Sequence, residues 1–140
     1  MGGAPLTPRV RIMAICDKAR QSKAEAGVFD LKGVRQEIAA GVFPFPCRLW
    51  LFLVLASPRA GTFPAYVIVV NEKTDKAIFY AQLSPDPAFQ DHTDFLAGLT
   101  PIRCVFPEPG RYTFQVCFFQ EQGSDVVKGQ LPFQVLSKGV

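Results

Sequence analysis

The single histidine, His92, sits in "DHTD" between Asp91 and Asp94. An imidazole flanked by carboxylates is a setting for general acid–base chemistry, and Asp86, Asp91 and Asp94 share one connection whose oxygens suit a hard cation. Neither reading is developed by the rest of the chain. Ser–His–Asp catalysis needs a nucleophile held against the histidine, and no Gly-x-Ser-x-Gly elbow or phosphate-cradling glycine loop occurs. Pro85 and Pro87 draw the acidic connection out, whereas a cation loop is compact. No spacing singles out two of the 12 acidic residues as a catalytic pair. The four cysteines, Cys16, Cys47, Cys104 and Cys117, include no C-x-x-C pair, so a zinc site would need ligands from four separate segments. The expectation is no catalytic residue, no metal, no cofactor and no enzyme. "DHTD" is read as an exposed polar loop and the cysteines as reduced, buried or half-buried thiols.

The elements that would position any site have a period of two nearly throughout, the signature of strands. Residues 1–8, with Gly2, Gly3, Pro5 and Pro8, read as a disordered tail, and 9–140 as one domain. Strands are expected in "VRIMAICDKA", in "VFDLKGV" with Gly33 as a candidate bulge, and in "CRLWLFLVLA". The prolines of "GVFPFP" argue against a central strand there. "AYVIVVNEKTDKAIFYAQL" reads as a hairpin with arms Ala65 to Val70 and Ala77 to Leu83. A short helical turn is expected around Asp91 to Ala97, with Thr93 as its cap, before the strand "PIRCVF". "RYTFQVCFFQE" and "LPFQVLSK" complete the set, with "EQGSD" turning the chain between them.

"FPEPGRYTFQVCFF" shows how these strands are joined. Pro107 and Pro109 cannot donate to a ladder and end one strand, and Gly110 permits the reversal. Tyr112, Phe114, Val116 and Phe118 then share one face. A tyrosine just after such a turn matches a tyrosine corner, its hydroxyl bonding back to the backbone. Pro109, Gly110 and Tyr112 are therefore assigned a structural role. Seven to eight strands with turns between them predict an all-β chain, an immunoglobulin-like antiparallel β-sandwich. The antibody-type disulfide is not expected, because Trp50 follows Cys47 by three residues, too close for the Cys–Trp–Cys arrangement.

"ICDKAR", "GVFDLKGVRQEI", "FPFP", "FPEPGRYTFQV" and the terminal "LPFQV" together resemble a family of small bacterial immunoglobulin-like β-sandwich proteins of uncharacterised function. The likeness runs over residues 10–136. It implies the sandwich fold and carries no active site.

Composition narrows the partners. A net charge of +3 without a concentrated basic patch does not point to nucleic acid. The longest apolar run, Leu49 to Ala56, is far short of the ~20 residues of a membrane-spanning helix. "MGGAPLTPRVR" has no apolar segment before its first charges, so a cytoplasmic protein is expected. The oddity is "CRLWLFLVL", which is apolar on both faces: Cys47, Leu49, Leu51, Leu53 and Leu55 on one, Trp50, Phe52 and Val54 on the other. One side of a sandwich strand ordinarily faces water. Either chain segments fold over the second face, or it binds a protein partner or a second copy. The latter makes Trp50, Phe52 and Val54, with Phe119 as a neighbour, the candidate interface of a scaffold or interaction module, with a homo-oligomer expected. The alternative is a small-ligand or carbohydrate-binding sandwich using Trp50, Tyr66 and Tyr80.

Overall fold

The structure, a computed structural model, describes residues 7–90, 95–120 and 123–138. These form strands β1 (Arg9–Gln21), β2 (Phe29–Arg35), β3 (Glu37–Ala40), β4 (Phe45–Ala56), β5 (Gly61–Thr62) and β6 (Ala65–Asn71). β7 (Lys76–Gln82), β8 (Ala88–Phe89), β9 (Phe95–Phe106), β10 (Gly110–Phe118) and β11 (Val126–Ser137) follow. One sheet has the order β2-β1-β4-β9 and is antiparallel throughout. The other has the order β3-β11-β10-β6-β7, antiparallel except where β3 runs parallel to β11. β5 and β8 pair separately. Each of the eight expected strand segments lies wholly or largely in a strand. The additions are β3, β5 and β8, four or two residues long, too short for alternation to register.

Alternation explains how the two large sheets meet. Leu49, Leu51, Leu53 and Leu55 of β4 are buried with Ile102 and Phe106 of β9, in one cluster with Val67 and Val69 of β6 and Phe114, Val116 and Phe118 of β10. Each fully buried side chain of this kind contributes about 1.5–3 kcal/mol. At the β10 end the Tyr112 hydroxyl donates to the Glu108 carbonyl at 2.6 Å, and its ring meets Phe106 edge-on at 4.9 Å. Gly110 opens β10 with φ of 149°, two residues before Tyr112.

Three boundaries differ from the sequence reading. Phe95 to Ala97 are strand, not helical turn, because they pair with Ala56, Leu55 and Val54 of β4. Asp91 to Asp94, including His92 and the Thr93 cap, lie outside the described residues. β4 begins at Phe45 and includes Pro46. That is tolerated because β1 leaves β4 at Cys16↔Trp50, so the stretch around Pro46 has β9 as its one strand neighbour. Thr7 is half-buried and Pro8 buried, so the chain is packed before residue 9.

The β1–β2 hairpin does not stay in the plane of its sheet. Phe29 is in register with Gln21, and Phe52 with Ala14. In a straight strand Ala14 and Gln21 are about 23 Å apart, yet the Phe29 and Phe52 rings are 5.2 Å apart. The far half of the hairpin must bend back over the outer face of β4. The bend falls where β1 parts from β4. Gly33 has φ of 70°, and a Cβ there would clash with the Asp17 carboxylate. Arg35 donates to Asp17 beside it. Within the arm Phe29, Leu31 and Ala19 are half-buried while Lys18, Arg20, Asp30 and Lys32 are exposed.

Two substitutions test this construction by urea denaturation. Tyr112→Phe removes one hydrogen bond and is expected to cost about 1 kcal/mol; an unchanged midpoint would contradict the corner. Gly33→Ala combines a left-handed backbone with a clash on Asp17 and is expected to cost more than about 1 kcal/mol. A neutral result would contradict the bend.

Candidate functional site

Trp50, Phe52 and Val54 do lie on the outer face of β4, opposite the leucines, but all three are half-buried. Phe52 is under Phe29 of the folded-back arm. Phe119 is not their neighbour: it follows β10, in the other sheet. The four residues therefore do not form one surface.

Phe119 instead belongs to an aromatic row on the outer face of the five-stranded sheet. The Tyr66 ring lies 4.8 Å from Phe119 and 5.2 Å from Tyr80, tilted by 50° and 35°. Tyr66 is placed by β6, whose even positions point away from the core, and Tyr80 by β7, directly opposite Ile68. β10 runs in unbroken register along β6, with Cys117 opposite Tyr66 and Phe118 opposite Ala65, so alternation turns Phe118 into the core and Phe119 out. The Phe119 amide donates to the Pro64 carbonyl at 3.2 Å, holding the residue against β6. Tyr80 is 56% exposed and Phe119 41%. The Tyr66 hydroxyl donates to Asp125 at 2.9 Å. Burial, then the bonds to Asp125 and Cys117, raises the Tyr66 pKa, so the hydroxyl stays a donor. Of the alternative ligand-binding set, Tyr66 and Tyr80 are thus brought together, while Trp50 lies on the other sheet.

The Tyr66–Tyr80 half of this row follows from the hairpin register. The join to Phe119 comes from β10–β6 pairing, between segments far apart in the chain, which no local pattern announces.

Two further features lie along β9. A groove of about 340 Å³ runs between its N-terminal half and residues 83–88, with Leu53 and Leu55 in its lining. Asp86 of the considered cation loop is in that lining; Asp91 and Asp94 are outside the described residues. Farther along, Arg48 and Arg103 stand directly opposite one another on β4 and β9, both exposed. Among the described residues, no three of His, Cys, Asp and Glu gather at one point.

All four cysteines are free and buried, Cys47 directly opposite Cys104. Burial pushes each thiol above its ordinary 9.0, Cys104 up to about 12 with the neighbouring Cys47 adding to the effect. Such thiols are poor nucleophiles.

No family model matches the chain, and no curated protein matches it. Among solved structures it is similar to the soluble domain of PmoD from Methylocystis sp. ATCC 49242 (Rockwell). The two are 14% identical, over 91% of this chain and 96% of that one, with a TM-score of 0.43.

Because the folded state favours the neutral Cys104 thiol, its contribution is complete below pH 9.0 and is lost as pH rises toward about 12. Stability is expected to fall through that window, and less so in Cys104→Ala. An equal fall in the two proteins would contradict the assignment.

Proposed function

We propose that the protein is a non-enzymatic interaction module on an immunoglobulin-like β-sandwich, and that it associates with a second copy of itself through the outer face of the five-stranded sheet. The observation that carries this is the row Tyr80–Tyr66–Phe119, with both end rings open to solvent. Aromatic residues are enriched at the centres of interfaces, where a few anchors dominate affinity. Tyr66 is already fixed by Asp125 and by its neighbours on both sides, so docking on it loses little side-chain entropy. A cytoplasmic setting, in which the four thiols stay reduced, belongs to this reading.

A second reading has one specific observation in its favour. The Tyr66 hydroxyl, bonded to the Asp125 carboxylate, forms a polar edge to the Tyr66–Tyr80 ring pair. Apolar ring faces edged by hydrogen-bonding groups suit a carbohydrate as well as a protein.

Light scattering separates the two. Wild type is expected to be dimeric, and Tyr80→Glu/Phe119→Glu monomeric with an unchanged circular dichroism spectrum. A wild type that stays monomeric, with Tyr66, Tyr80 and Phe119 amide shifts independent of concentration, rejects self-association. Binding on a glycan array that the double variant loses then favours the carbohydrate reading.

A further inference from the structure

β9 lies in the other sheet from the aromatic row. β9 is an edge strand of 12 residues, paired on one side with β4 along its whole length. Among the described residues, no backbone hydrogen bond is made on its other side. Edge strands of this length are ordinarily shielded, because a free row of N–H and C=O groups invites another strand. Pro101 tells which groups are free. A proline fits this ladder with its nitrogen facing away from β4. Alternation then turns the N–H and C=O groups of Leu99, Arg103 and Val105 the same way. Pro101 therefore interrupts the free edge at one donor and leaves the flanking ones in place.

The side chains around that edge are unevenly arranged. On the outer face Arg48 of β4 is directly opposite Arg103 of β9. Like charges in this position are destabilising, and among the described residues neither guanidinium is in an ion pair or a hydrogen bond. A strand laid along β9 would place its own residue directly opposite Arg103, extending the row. A carboxylate there meets the Arg103 guanidinium in a charge-assisted contact and relieves its repulsion with Arg48, one strand further on. On the inner face, the N-terminal half of β9 borders the groove over Leu53 and Leu55. Side chains of the added strand on that face would enter an apolar space.

We infer that the free edge of β9 is a strand-addition site for an extended peptide carrying an Asp or Glu opposite Arg103. The peptide also carries an apolar side chain about five residues away, on the other face, in the groove. Backbone bonds supply affinity, and the arginine pair and groove supply register. A second copy of this chain is a poor occupant. The edge strands β9 and β7 have no acidic residue to offer, Asp30 of β2 is engaged with Arg20, and β3, which carries Glu37, is four residues long, too short to reach from Arg103 to the groove.

The test is selection of random extended peptides displayed on phage against the folded protein. Enriched peptides are expected to share an acidic residue and an apolar residue about five positions away. They should bind Arg48→Gln/Arg103→Gln about tenfold or more weakly, as expected for losing charged hydrogen bonds. N-methylation at alternate backbone positions should abolish binding, and the bound peptide should slow hydrogen exchange at Leu99 and Arg103. Failure to enrich any peptide, enrichment without an acidic position, undiminished binding to the arginine variant, or indifference to N-methylation each overturns the inference. Peptides lost only in the Tyr80→Glu/Phe119→Glu variant overturn it too, because they occupy the other face.

Discussion

β4 is apolar on both faces, and that constraint organises the molecule. Its leucine face forms the core with the five-stranded sheet. Its other face carries Trp50, Phe52 and Val54, which a two-layer sandwich would leave in water. The chain answers with its own hairpin. β1 pairs with β4 only as far as Cys16, and the Phe29 end is carried back over Phe52. The bend needs a residue free to take positive φ without a Cβ at the Asp17 carboxylate, and Gly33 meets both demands. Ile12 stays half exposed on the same face, so the arm covers the aromatic centre rather than the whole sheet.

The arm leaves two surfaces open, the outer face of the five-stranded sheet and the β9 edge of its own sheet. Among the described residues, the aromatic row of Tyr80, Tyr66 and Phe119 has no arm above it, and β9 has no strand but β4 paired to it. Both lie on rigid strands, which hold side chains in fixed relative positions better than loops do. The buried thiols, by contrast, are core residues: each is shielded, and each has its pKa raised by burial.

How much was legible depended on whether the deciding contact was local. The β6–β7 hairpin, the Tyr112 corner and the faces of β4 follow from alternation and turn chemistry over a dozen residues or fewer. Gly33 stood out as an irregularity, but the direction of the bend depends on Phe29 meeting Phe52, a contact across the fold. Phe119 faces outward as alternation predicts, but it is no neighbour of Trp50, because β10 pairs with β6 and β11 rather than with β4, a long-range choice that local pattern does not carry. The N-terminal half of β9 was missed because "FLAGLT" mixes Gly98 and Ala97 with bulky residues and shows no clean alternation. Pairing with β4 decides it.

The central claim is that the protein covers its own second apolar face. Nuclear Overhauser contacts between the rings of Phe29 and Phe52 test it most directly, in a sample dilute enough to be monomeric. The account predicts strong ring-to-ring cross-peaks, consistent with centroids 5.2 Å apart. Their absence, with Phe29 contacting only residues of β1 and β2, would mean an arm that extends away from the sandwich, and would contradict the account.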